Sequence, residues 1–219
     1  MTSYAIKELY GGAITARLPS DFIDASNLRQ VPDHQEVFLS PKTLTTIIFE
    51  INQYVEAQHA ALLTGSNTSL DPVNPGDAGT DQAKTAALFH IRDLVDAKDT
   101  LTITSTPQTE AMQSPTLQDV QAVVIRGTVT ASEPEPRPRS VLPEAFQTVP
   151  EARETTTTII LLLVRLETQQ TDFCVAVNVP WKELQGEGAG LQEEEALADA
   201  VVENLVKSLE IKDFGLFGE

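Results

Sequence analysis

Three histidines (His34, His59 and His90), one cysteine (Cys174) and 32 acidic side chains are the groups with which this 219-residue chain could do acid–base or nucleophilic chemistry. A serine–histidine–carboxylate hydrolase needs a positioned nucleophile and an oxyanion hole. No Gly-x-Ser-x-Gly elbow occurs. His34 follows Asp33 in a turn, while His59 and His90 fall on segments expected to be helical. All three are read as surface or packing residues. Cys174 lies in the apolar run 173–179, where a packed thiol is expected. A lone cysteine also excludes an intramolecular disulfide framework and a thiolate metal cluster.

Nucleotide and metal motifs fail in the same way. Gly11-Gly12 is a tight turn with no following Gly-Lys-Ser/Thr, so it is not a phosphate-cradling loop of that type. No His-Glu-x-x-His is present, and the acids between Asp71 and Asp81 lack the terminal glutamate of a calcium loop. Carboxylate pairs abound, but in so acidic a chain any two pair by accident. No catalytic residue, metal or cofactor is expected.

One constellation remains. Asp24, Asn27, Arg29, Asp33, His34, Gln35 and Glu36 crowd into a short stretch anchored only by Ile23, Leu28 and Val31. Two readings fit. Asp24 caps backbone amides and Arg29 pairs internally, making a turn network. Alternatively, these residues form a recognition surface on loops, where binding groups concentrate. The residue types leave both open.

Charge narrows the partners. With 15 basic against 32 acidic residues the chain carries −17 at pH 7. Such a surface repels phosphate backbones and anionic lipid, so neither nucleic acid nor membrane is an expected partner, and a basic protein would be steered towards it. The start, Met1-Thr2-Ser3-Tyr4, has no basic region followed by an apolar one, and the longest apolar run, 159–164, is far below the ~20 residues of a membrane span. A cytosolic or nuclear protein is expected. The apolar fraction of 41% suffices for a sizeable core.

The elements that must position these groups follow from pattern. One short strand is expected over 9–18 after the Gly11-Gly12 turn and another over 35–39. Ser40 as N-cap, Pro41 at the first position and Leu44, Ile47, Ile48, Ile51, Tyr54 and Val55 at helical spacing predict an amphipathic helix over 41–63. On that helix Phe49 and Gln53 would look outward and Glu50 would flank the apolar stripe. A second helix is expected over 81–97, then strands over 101–106, 120–130, 155–168 and 172–179, and a last helix over 191–209. Glu193, Glu194 and Glu195 are read as a solvated run matched to that helix's dipole. Loops are expected over 65–79, 132–153 and 185–190, the second because five prolines exclude a strand or helix interior. The order suits an α+β fold of one domain, 1–219.

The residues themselves are also familiar. Leu9-Tyr10-Gly11-Gly12-Ala13, Pro19, Phe22-Ile23-Asp24-Ala25-Ser26, Leu28-Arg29-Gln30-Val31-Pro32-Asp33 and Gln35-Glu36-Val37-Phe38 resemble the Ran-binding Mog family, also called Ran guanine nucleotide release factors. Phe89-His90-Ile91-Arg92-Asp93-Leu94, Leu163-Val164-Arg165-Leu166, Thr171-Asp172, Asn178-Val179-Pro180 and Leu216-Phe217-Gly218 look like later motifs of the family. The resemblance implies an α/β/α sandwich with a central, mostly antiparallel sheet of the PsbP-like kind. It implies a non-enzymatic role: a monomer that binds the small GTPase Ran, with or without an accessory Ran-binding protein, promotes nucleotide release and supports nuclear import, in nucleus and cytoplasm. Competing readings are an acidic adaptor or chaperone for basic nuclear proteins and a carboxylate-pair hydrolase.

Carried over residue by residue, the resemblance favours Asp24, Asp33 and Glu36, with Arg29 in the same motif, as partner-binding residues. A family acid on the first helix aligns with Glu50. A second, one turn later, falls on Gln53, and Arg92 replaces another, leaving Asp93 as the matching carboxylate. The expected site is one acidic patch of Asp33, Glu36, Glu50 and Asp93 flanked by outward Phe49.

Overall fold

The computed structural model describes residues 2–56, 80–134, 152–181 and 190–217. The expected loop over 65–79, most of those over 132–153 and 185–190, and His59 lie outside these residues. The described chain is an α+β fold whose described strands all pair antiparallel.

The N-terminal strands β1 (Tyr4–Leu9) and β2 (Ile14–Pro19) form a small sheet with β11 (Glu210–Ile211), in the order β1-β2-β11. A large sheet takes β3 (Ile23–Asp24), β4 (Gln35–Leu39), β5 (Thr46–Gln53), β6 (Thr100–Ile103), β7 (Gln108–Ala111), β8 (Gln121–Pro134), β9 (Ala152–Leu166) and β10 (Thr171–Pro180). Its order is β3-β4-β5-β10-β9-β8-β6, with β7 also on β8. Two α-helices, α1 (Thr80–Asp93) and α2 (Gly190–Ser208), and four short 3-10 turns, Tyr10–Gly12, Ala25–Asn27, Glu167–Gln169 and Phe214–Phe217, complete the described elements.

The central strands explain the layering. Side chains alternate across a sheet, so a strand that is apolar at every position must be covered on both faces. In β9, Ile160, Leu162 and Val164 join the core shared with α2 and the small sheet, while Ile159, Leu161 and Leu163 join a second core beneath α1. In β10, Phe173, Val175 and Val177 face the first core, and the smaller Cys174 and Ala176 accept α1. Cys174 is fully packed, as its setting in the sequence predicts.

The helix expected over 41–63 is not what these residues form. Thr46–Gln53 is strand β5, paired with β4 and β10, and the rest of the expected helix beyond residue 56 lies outside the described residues. Ile47, Ile48 and Ile51 fit a period of 3.6, but Ile47, Phe49 and Ile51 fit a period of 2 equally well. The β-branched and aromatic content of Thr45-Thr46-Ile47-Ile48-Phe49 decides for the strand. Ser40 does cap a turn: its Oγ accepts the amides of Lys42 and Thr43, but no helix follows.

Smaller differences have similar causes. β8 and β9 run into the proline-rich segment as far as Pro134 and from Ala152, because their long hairpin ladder continues pairing there. Gly190, expected in a loop, opens α2. The strand expected over 9–18 is the hairpin of β1 and β2 with its turn at Tyr10–Gly12. Strands β3, β7 and β11 escape the pattern, β7 being polar (Gln-Thr-Glu-Ala) and β3 and β11 only two residues long.

Candidate functional site

The turn between β1 and β2 organises the N-terminal acids. Tyr10, Gly11 and Gly12 all adopt positive φ (49°, 66° and 94°), which glycine tolerates and tyrosine rarely adopts. The Tyr10 amide donates to Glu36 Oε1 at 2.8 Å, and its hydroxyl donates to the His34 carbonyl at 3.1 Å. Asp24 Oδ1 accepts the Ser26 amide at 2.8 Å and so caps the single turn Ala25–Asn27. The Gln35 amide donates to the Pro32 carbonyl at 2.9 Å, closing the turn on which Asp33 stands exposed.

These local bonds gather four carboxylates, Glu8, Asp24, Asp33 and Glu36, around one open depression of about 350 Å³. Tyr10 forms part of its wall. Burial pushes the Tyr10 hydroxyl well above the usual phenol range, and the charges of Glu36 and Glu50 push the same way. The phenol therefore remains a neutral donor at physiological pH. Glu8, in β1, is not among the expected residues.

The other expected residues separate. Phe49 is not outward: it is 0% exposed, edge-on to Phe38 at 6.1 Å and stacked with Phe173 at 6.2 Å. The reason is register, since Phe49 pairs with Glu36 and shares the inner face of β5 with Ile47. Glu50 consequently points to the opposite face from Glu36. Its side chain is only 16% exposed, accepts Gln35 Nε2 at 2.8 Å and lies 3.6 Å from His34 Nε2. Gln53 is exposed at the end of β5. Asp93 ends α1 and lines a different depression, of about 590 Å³, with Arg92, Asp96 and Asp99. Thus Asp33 and Glu36 share a surface, but Glu50 and Asp93 do not complete a single patch with them.

Arg29 is exposed, and among the described residues it makes no ion pair, so the internal pairing weighed from the sequence is absent there. Asp24 does cap a turn and lines the depression as well. The two readings of that residue are therefore compatible.

A buried polar network outside the expected site residues lies beneath α1. Asp172 accepts His90 Nε2 at 2.8 Å and the Val55 amide at 2.9 Å on one oxygen, and Arg165 Nε at 3.0 Å on the other. Arg165 also donates to the Val55 carbonyl at 2.6 Å and stacks over the Tyr54 ring at 3.9 Å. Both backbone groups of Val55 are thereby bracketed where the chain leaves β5. Charged residues inside the apolar strands β9 and β10 are the signal that finds this network.

A family model described as "Ran-interacting Mog1 protein" matches residues 7–180 of the chain. The chain belongs to this family. Among Mog1-family relatives, the nuclear import protein MOG1 of Saccharomyces cerevisiae is 30% identical over 213 residues, covering 96% of this chain and 83% of the relative. A probable Ran guanine nucleotide release factor of Dictyostelium discoideum is 26% identical over 218 residues, covering 96% and 95%. The crystal structure of the S. cerevisiae Ran-binding protein Mog1p superposes with a TM-score of 0.58 at 23% identity over the full length of both chains. That superposition establishes the shared fold. Within the Mog1-family frame, the matched span includes the acidic depression, the bracket and both faces of β5.

Proposed function

We propose that this chain binds Ran and promotes release of its guanine nucleotide in support of nuclear protein import, with the acidic depression as the principal contact. The observation that carries the reading is the gathering of Glu8, Asp24, Asp33 and Glu36 around one open concavity of a Mog1-family protein. Four carboxylates at one rim attract lysine and arginine side chains and raise the encounter rate with a basic face. Leu28, 67% exposed and close in sequence to the lining residue Ser26, offers apolar surface whose burial against a partner would be favourable.

Release requires no bond to break in the protein. If nucleotide-free Ran is bound more tightly than nucleotide-bound Ran, linkage lowers the nucleotide's affinity by the same factor. The protein then acts as a monomer, wherever Ran is found in nucleus and cytoplasm, and an accessory Ran-binding protein would modulate rather than create the effect.

The test is dissociation of a fluorescent guanine nucleotide from purified Ran, with and without this protein. Acceleration is expected, and Asp33→Lys or Glu36→Lys should weaken it by about tenfold or more while reducing its salt dependence. No acceleration together with no complex on gel filtration defeats the reading. Equal binding to histones and to Ran would instead make the protein a general adaptor for basic partners.

A further inference from the structure

Tyr10 holds a left-handed backbone, φ +49°, at a residue with a large side chain. Such a conformation persists only where the surroundings over-determine it. Here three contacts do so. The amide is bonded to Glu36 Oε1, the hydroxyl to the His34 carbonyl, and the ring packs edge-on against Phe173 with centroids 6.3 Å apart. Two following glycines, also at positive φ, let the chain turn back without further steric conflict.

The consequences converge on the acidic rim. The His34 carbonyl accepts both the Tyr10 hydroxyl and the Ile51 amide, so the turn bearing Asp33 is tied to the small sheet on one side and the large sheet on the other. Glu36 gives one oxygen to Tyr10, and among the described residues its second oxygen makes no hydrogen bond. A carboxylate held in this way loses less freedom when a cation arrives.

We propose that Tyr10 is a positioning residue of the acidic depression: its amide and hydroxyl fix Glu36 and the Asp33 turn so that the free Glu36 oxygen and Asp33 meet basic side chains of the partner at a set spacing. The proposal rests on the reading that this depression receives Ran.

Two measurements test it. Tyr10→Phe keeps the ring, the backbone conformation and the amide bond, and removes only the hydroxyl. Its affinity for Ran should fall roughly three- to tenfold, with the thermal midpoint moving by no more than about 3 °C. In nuclear magnetic resonance spectra of the free protein, the Tyr10 amide proton should follow the ionisation of the Glu36 carboxyl as pH is lowered. In Glu36→Gln that titration should vanish, a signature that mere packing of Tyr10 would not produce. A Tyr10 amide insensitive to that ionisation overturns the proposal, as does a Tyr10→Phe protein that binds Ran like its parent. A parent protein that fails to bind Ran removes the functional reading and the partner-facing role of Tyr10 together, an outcome distinct from parent and variant binding equally.

Discussion

His90 Nε2 lies 2.8 Å from Asp172 Oδ2, and the two side chains are 5% and 0% exposed. A buried carboxylate is tolerable only when its lone pairs are used. Asp172 uses them on His90, Arg165 and the Val55 amide, tying α1, β9, β10 and the exit of β5 at one point. Asp172→Ala would leave the Arg165 guanidinium buried without its counter-charge, which costs about 3–5 kcal/mol. Urea unfolding followed by circular dichroism measures this directly. A loss below about 1 kcal/mol would show that the bracket contributes nothing beyond packing.

Phe49 separates stability from binding. It stacks on Phe173 within the core shared with α2, so Phe49→Ala should lower stability by about 3–5 kcal/mol. Phe49→Leu retains most of the apolar volume, and the folded protein should bind Ran with unchanged affinity. A Phe49→Leu protein of parental stability and reduced affinity would return this ring to the interface.

The contrast between Phe49 and Glu36 shows what the sequence could and could not reveal. Strand β4 is legible to its ends, because Gln35–Leu39 is bounded by a turn-forming Pro32-Asp33 and by Ser40-Pro41. The central strands and the burial of Cys174 are legible because apolar, β-branched runs mark strands covered on both faces, and the two helices because a period of 3.6 dominates each. β5 is not, because its apolar positions satisfy two periods, and only pairing with β4 and β10 selects between them. That one error carried Phe49 to the surface and merged Glu50 with Glu36. The N-terminal acids were identifiable individually, but their grouping with Glu8 depends on a turn at Tyr10 whose left-handed backbone no residue pattern announces.

The glutamates opening α2 are not equivalent. Glu194 Oε2 accepts the hydroxyls of Thr43 and Thr45 at 3.0 and 2.7 Å. Glu195 Oε1 accepts the Thr158 hydroxyl at 2.9 Å, and that hydroxyl oxygen accepts Trp181 Nε1 at 2.8 Å. Only Glu193 stands exposed as the solvated run predicts. Glu194→Ala should therefore cost about 1–3 kcal/mol, since the buried Thr45 hydroxyl loses its charged acceptor. Glu193→Ala should stay within about 0.5 kcal/mol. Equal effects in paired thermal melts would mean that dipole matching, common to both positions, is the dominant contribution.

Alkaline pH should weaken the fold through groups held neutral inside it. Burial raises the phenols of Tyr4, Tyr10 and Tyr54 above their ordinary value of 10.0, and burial likewise raises the Cys174 thiol above 9.0. In each case the folded chain binds the proton more tightly than the unfolded chain. The stabilisation is complete below the unfolded values and is lost as pH climbs past 9 and 10 towards the raised folded ones. Urea midpoints measured from pH 8 to 11 should hold level and then fall, while absorbance near 295 nm shows native tyrosines still protonated at pH 10. Iodoacetamide should leave Cys174 unmodified in native protein at pH 8 and alkylate it in urea, because the thiolate is the reacting species and the folded core excludes it. Rapid native alkylation, or phenols ionising at their ordinary pH, would show that the core around Tyr10 and Cys174 is open to solvent.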